Sequence, residues 1–182
     1  MKTVIWKVFF NFEKEEKWLN DMAAKGLSFI DYTFGRYLFE EGTPGEYIYR
    51  LELLNEMPSH AESKAYIKFM EESGIECVST YLRWAFFRKK AADGPFDLYS
   101  DYDSRIKHYK RVIAWTAVGL ALNLFAALLN VFIGLRLGSS GRSSFNLYFS
   151  TISWAVTIIL IPMLISYIRK IFIMKKEKNI YE

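Results

Sequence analysis

Two long apolar runs close the chain, at 112–135 and 147–168, and neither contains an acidic or basic side chain. At about 1.5 Å per helical residue, runs of roughly 22 to 24 residues reach about 33–36 Å, enough to cross a hydrocarbon core of about 30 Å. The segment between them, 136–146, is too short to hold a domain, so the pattern predicts a two-helix transmembrane hairpin with a short external loop. Residues 1–95 are left as one soluble domain with a modest core, 96–111 as an amphipathic juxtamembrane linker and 169–182 as a basic cytosolic tail.

Upstream of the hairpin the period changes. A β-branched and aromatic stretch predicts a strand at 3–10. Asn11 then caps a helix over 12–25, whose face carries Trp18, Leu19 and Met22 and whose stop is Gly26. Strands follow at 27–34 and 36–41 around Gly35, then the turn residues Gly42, Thr43, Pro44 and Gly45, and a strand at 46–54. Ser59 with Glu62 reads as a capping box for a second helix ending at Gly74, before strands at 75–82 and 83–89. The order is βαββ twice.

Residues repeat with the order. Trp18-Leu19, Met22, Gly26 and Leu27 return forty-eight positions later as Tyr66-Ile67, Met70, Gly74 and Ile75. Trp6-Lys7 echoes in Tyr49-Arg50, and Arg36-Tyr37-x-Phe39 in Arg83-Trp84-x-Phe86. The expected fold is therefore α+β: a tandem βαββ forming one antiparallel sheet with two helices on one face, followed by the transmembrane hairpin. This order is similar to that of gyrase-inhibitor-like domains, where a small ligand sits between the halves.

Charge sets the expected topology and removes one function class. The net +4 divides into −2 for 1–95 (13 Lys and Arg against 15 Asp and Glu) and +6 for 96–182 (11 against 5). A weakly acidic soluble part lacks the basic footprint of direct nucleic-acid binding. Arg105, Lys107, Lys110 and Arg111 flank the first run and Arg169, Lys170, Lys175, Lys176 and Lys178 the second, while the loop carries Arg136 and Arg142. The bias places the protein in the cell membrane with both termini cytoplasmic. A lone Cys77 suits that reducing compartment.

Candidate chemistry is sparse. His60, at the start of the second helix, has no partner constellation, and His108 lies in the membrane approach; Cys77 sits mid-strand as a small apolar residue. Glu13, Glu15 and Glu16 lie in a helical first turn, where a solvated role toward the dipole explains them. No catalytic set, metal set or cofactor is expected. Strand aromatics exceed the evident needs of the core. Trp6, Tyr37, Tyr49 and Trp84, with Glu52 as a carboxylate, are therefore expected to line a groove for an apolar or cationic small molecule or a partner's ring. In the first span Gly119, Asn123, Ala126, Asn130 and Gly134 draw a small, polar stripe suited to packing on Ser150, Ser153 and Thr157, or in a homo-oligomer.

The soluble motifs also resemble a known family. Trp18-Leu19-Asn20-Asp21-Met22-Ala23-Ala24-Lys25-Gly26, Tyr37-Leu38-Phe39-Glu40 with Gly42, Tyr47-Ile48-Tyr49-Arg50, Tyr66-Ile67 with Gly74, and Trp84 with Phe86-Phe87 resemble, in order, the bacterial domain-of-unknown-function family 2812 over roughly 5–105. The resemblance implies paired C-terminal spans, and the PadR-type regulators often encoded beside members of that family would imply a signalling or stress-response setting. The expected function is a membrane-tethered cytosolic sensor or interaction module, non-catalytic, whose partners are the bilayer and a regulator or membrane subunit. The alternatives are an accessory subunit of a transport or export complex and, third, a lipid-directed hydrolase.

Overall fold

The computed structural model describes residues 1–136 and 142–181, with side chains outside 142–144 and Tyr181; residues 137–141 of the expected external loop lie beyond those described. Two compact units result, Met1–Ser100 and Asp101–Glu182.

The first unit runs β1 (Lys2–Trp6), α1 (Phe12–Ala24), β2 (Leu27–Thr33), β3 (Arg36–Glu41), β4 (Tyr47–Leu53), α2 (Ala61–Glu72), β5 (Glu76–Tyr81) and β6 (Trp84–Lys90), so the α+β class and the doubled βαββ order hold. Instead of one sheet there are two antiparallel three-stranded sheets, sheet A with order β1-β3-β2 and sheet B with order β4-β6-β5. The break lies between β2 and β5. Each is bulged, at Ile30 between Phe29 and Asp31 and at Val78 between Cys77 and Ser79. A bulge bends its strand and interrupts the ladder. Side chains bridge the seam: Tyr32 N–H donates to Ser79 Oγ at 3.3 Å, and Ser79 Oγ donates to Asp31 Oδ1 at 3.0 Å.

The helices accordingly serve different sheets rather than sharing one face. Trp18 of α1 packs edge-on to Phe39 and Tyr37 on the inner side of sheet A. Tyr66 of α2 packs edge-on to Phe87 of sheet B, in a cluster with Leu54, Met70, Ala85 and Phe96. The other side of sheet B closes on sheet A through Phe29–Phe86 (5.2 Å), Tyr32–Phe86 (5.3 Å) and Tyr32–Tyr81 (5.1 Å). This aromatic seam is the centre of the unit. Each such pair adds about 0.5–1.5 kcal/mol beyond its burial.

Geometry repeats at the forty-eight-residue interval. Gly26 and Gly74 both stop a helix with positive φ (81° and 80°), Phe34 and Leu82 both adopt positive φ at a hairpin tip, and the bulges coincide. Ladder pairing corrects two of the expected equivalences. Trp6 faces Arg36 and Leu53 faces Trp84, so Trp6 corresponds to Leu53 rather than Tyr49, and Phe39 to Phe87 rather than Phe86. The cap of α2 is His60, whose Nδ1 accepts from Glu62 N–H at 3.3 Å, instead of Ser59. His60 N–H closes a turn onto the Met57 carbonyl, which draws Ser59 into that turn.

In the second unit α3 (Tyr102–Arg136) and α4 (Arg142–Tyr181) pack as a hairpin, each long and apolar enough to cross a membrane. Leu122, Phe125, Phe132 and Ile158 are exposed, unlike the side chains of a soluble core helix. Asn123 Nδ2 donates to Ser153 O (2.8 Å) and Thr157 Oγ1 (3.0 Å), and Ser150 Oγ to Ala127 O (3.3 Å). The seam thus uses Asn123 and buried Gly134 from the expected stripe, while Gly119 and Ala126 are exposed and Asn130 bonds back to Ala126 O within its own helix. A stripe stepping 119, 123, 126 rotates off the seam, which continues through Ala127. The expected linker is divided: Phe96 is buried in the core of the first unit, and helix begins only at Tyr102.

Candidate functional site

The buried face of α1 does more than bury apolar groups. Asn11 caps the helix through its Oδ1 and Lys14 N–H (3.0 Å), which sets the phase that turns Glu15, Glu16 and Asn20 inward. Glu15 and Glu16 are half-buried and hydrogen-bonded, rather than solvated as their place in the first turn suggested. Glu15 Oε1 accepts from Tyr37 Oη at 2.6 Å. Burial raises the Glu15 carboxyl from 4.5 to about 7, the tyrosine hydrogen bond only partly offsetting it. Burial and the adjacent carboxylate push the Tyr37 phenol up as well. Glu15 is thus the group of the pair raised toward neutrality, and the Tyr32 ring packs against its Tyr37 partner at 4.7 Å.

Glu16 and Asn20 instead clamp the edge of sheet B. Leu51 N–H donates to Glu16 Oε2 (3.0 Å), Tyr49 N–H to Asn20 Oδ1 (2.9 Å), and Asn20 Nδ2 to Tyr49 O (3.0 Å). Arg50 Nη1 lies 3.3 Å from Glu16 Oε1. Burial still raises the Glu16 pKa, outweighing the Leu51 bond and the Arg50 charge.

The five expected groove residues separate. Tyr37 and Tyr49 are fully buried, and the Tyr49 hydroxyl is held by Phe29 N–H at 2.9 Å, so these rings are core rather than walls of a groove. Glu52 is buried and accepts from Tyr66 Oη at 3.3 Å. Trp84 is half-buried against Phe12, ring centroids 5.6 Å apart. Trp6 alone is open, 71% exposed on the outer side of sheet A beside exposed Val4 and Val8, with exposed Phe34 at the adjoining hairpin tip. Val8 reaches that tip, since a Cβ at Gly35 would lie 3.5 Å from Val8 Cγ2.

Burial pushes the Cys77 thiol up to about 12, away from thiolate character at neutral pH. Among the described residues no group of three or more His, Cys, Asp or Glu is placed to hold a metal. Lys178 Nζ, of the basic flank, meets Asp103 Oδ2 at 2.6 Å.

The family model described as protein of unknown function DUF2812 matches residues 11–121, from the cap of α1 into α3. The chain belongs to that family. In this DUF2812 chain the matched stretch contains the clamp residues Glu16 and Asn20 and the buried Glu15–Tyr37 pair, whereas β1 with Trp6 precedes it. No curated protein and no solved structure matches the chain.

Proposed function

We propose that this protein is a membrane-tethered interaction module that acts by binding rather than by turnover, with its soluble unit and both termini on the cytoplasmic side. The observation that carries the reading is the exposed Val4, Trp6, Val8 and Phe34 surface of sheet A, in a unit whose other aromatics are largely spent on packing. Bare aromatic area of this kind marks an interaction site. The excess of cations at the span ends near residues 105–111 and 169–178 supports the orientation.

The test uses the full-length chain. Trp6→Ser with Val8→Ser should abolish association with its membrane partner while leaving the melting temperature unchanged, because neither side chain is buried. A partner retained by this variant, or substrate turnover by the wild type, would sink the reading. For orientation, in a Cys77→Ser background, a membrane-impermeant thiol reagent on intact cells should label Ser140→Cys and spare Lys68→Cys. The reverse pattern overturns it.

A further inference from the structure

The two repeats leave their first strands in different states, and the difference points to a partner. Both β1 and β4 are edge strands. In β4 the outward backbone groups of Tyr49 and Leu51 are taken by Asn20 and Glu16 of α1. Helical residues four apart rise about 6 Å, close to the roughly 6.8 Å between alternate strand residues, so two side chains on one helix face can replace a neighbouring strand.

In β1, Lys7 N–H bonds inward to Gly35 O, just as Leu54 N–H bonds to Arg83 O in the second repeat. Alternation then turns the N–H and C=O groups of Lys2, Val4 and Trp6 outward. By register Lys2 corresponds to Tyr49 and Val4 to Leu51. Among the described residues no side chain reaches these groups, and the α2 positions corresponding to Glu16 and Asn20 are the exposed Lys64 and Lys68.

We propose that β1 is completed by β1 of a second copy of this chain, paired antiparallel about Val4 to give a continuous six-stranded sheet. This rests on the reading of the exposed β1 surface as an interaction site and names an occupant for its open edge, beside the face that carries Val4 and Trp6. Centring the two-fold axis on Val4 overlaps the whole of Lys2–Trp6. Val4 then faces the partner subunit's Val4, and Lys2 faces the partner subunit's Trp6. That contact sets a cation against an exposed indole twice per dimer. A five-residue pairing is small beside the interface of about 1,000 Å² that a stable soluble dimer needs. Confinement of both copies to one membrane by their spans raises their effective concentration and makes the short pairing sufficient.

Outward-bonded antiparallel pairs hold their Cα atoms about 5.5 Å apart, within the 4.4–6.8 Å that a disulfide bridges. Full-length Val4→Cys in a Cys77→Ser background, oxidised in native membranes, should give at least about tenfold more covalent dimer than Phe69→Cys, an exposed apolar position on α2. Equal yields overturn the proposal. So does a Val4→Cys thiol that stays free but is shielded from a water-soluble maleimide by the bilayer, an outcome assigning the face to lipid. Val4→Pro removes an amide the chain does not use internally, so in nanodiscs it should change two copies to one at unchanged melting temperature. Persistence of two copies overturns the proposal, and so does loss of the melting transition, since the register would then be wrong. If dimerisation fails while Trp6→Ser with Val8→Ser still loses a different partner, the interaction reading stands and only its occupant changes.

Discussion

Phe39 in the first repeat and Phe87 in the second each receive an aromatic ring from their own helix, Trp18 at 5.6 Å and 88°, Tyr66 at 6.1 Å and 89°. The helix stops, bulges and left-handed hairpin tips recur with the same fidelity. The polar residues of the helices do not. Glu15, Glu16 and Asn20 of α1 correspond to Ser63, Lys64 and Lys68 of α2. The ring contact from helix to sheet is kept in each repeat, whereas the Glu15–Tyr37 bond of the first repeat and the contacts of α1 to β4 have no counterpart at the equivalent residues of the second. A helix from the first repeat seals a strand of the second, and the strand that begins the chain has no equivalent seal among the described residues.

The sharpest way to break this comparison is at the equivalent residues Leu53 and Trp6. Leu53→Ala, at a site 5% exposed, should cost about 2–5 kcal/mol in chemical denaturation, whereas Trp6→Ala should stay within about 0.5 kcal/mol. Comparable losses would mean that Trp6 is packed. Next in size is the clamp. Asn20→Ala strips two backbone groups of their partner and should cost about 1–3 kcal/mol, while Lys68→Ala should be neutral. Equal effects would remove the distinction between a sealed and a bare edge.

A smaller effect separates the repeats by pH. The folded Glu15 carboxyl stands at about 7 against an ordinary 4.5, so its protonated form is favoured by folding. That contribution is fully present below pH 4.5 and lost as pH rises through 7. With partial exposure discounted, its size is on the order of 1–2 kcal/mol. Glu15→Gln should flatten the stability profile across this window, and Ser63→Ala should leave its slope intact. An unchanged slope in Glu15→Gln would place the titration elsewhere. The least change is expected at the hairpin tips. Phe34→Gly and Leu82→Gly each relieve a left-handed backbone and should stabilise the first unit by about 1 kcal/mol. A loss at one tip alone would show that its side chain is packed.

What the amino-acid order made legible is what each repeat does for itself. Gly26 and Gly74 mark helix ends because a positive φ is written into residue type, and the charge-free runs mark the hairpin because apolar runs of that length form long helices. The split into two sheets was not legible, because Ile30 and Val78 look like ordinary strand residues until a partner edge shows them skipped. Glu15 and Glu16 were hidden for a related reason. Acidic residues in a first helical turn satisfy the dipole rule whichever way they point, and only the packing of α1 shows Glu15 turned to Tyr37 of sheet A and Glu16 to the edge of sheet B. Tyr37 and Tyr49 looked like groove walls because aromatic content alone cannot distinguish a lining from a core. A subtler signal was available at positions 64 and 68, where lysines replace the glutamate and asparagine of the first helix.

On the proposed membrane placement, the hairpin of the second unit answers to two solvents along one pair of helices. Between Asn123 and Ser153 its seam is held by hydrogen bonds and small residues, as expected where surrounding lipid is as apolar as the protein. Near its other end Ile106, Ile171 and Met174 are buried, with the partly buried Tyr102, Tyr109 and Ile113 packed against them, the kind of cluster that water favours. The two stretches therefore differ in heat-capacity signature. Cooling weakens a water-driven seam and leaves a hydrogen-bonded one in lipid nearly untouched. The end joining Tyr102 to Met174 should part first in the cold, and the stretch around Asn123 should be the last to open.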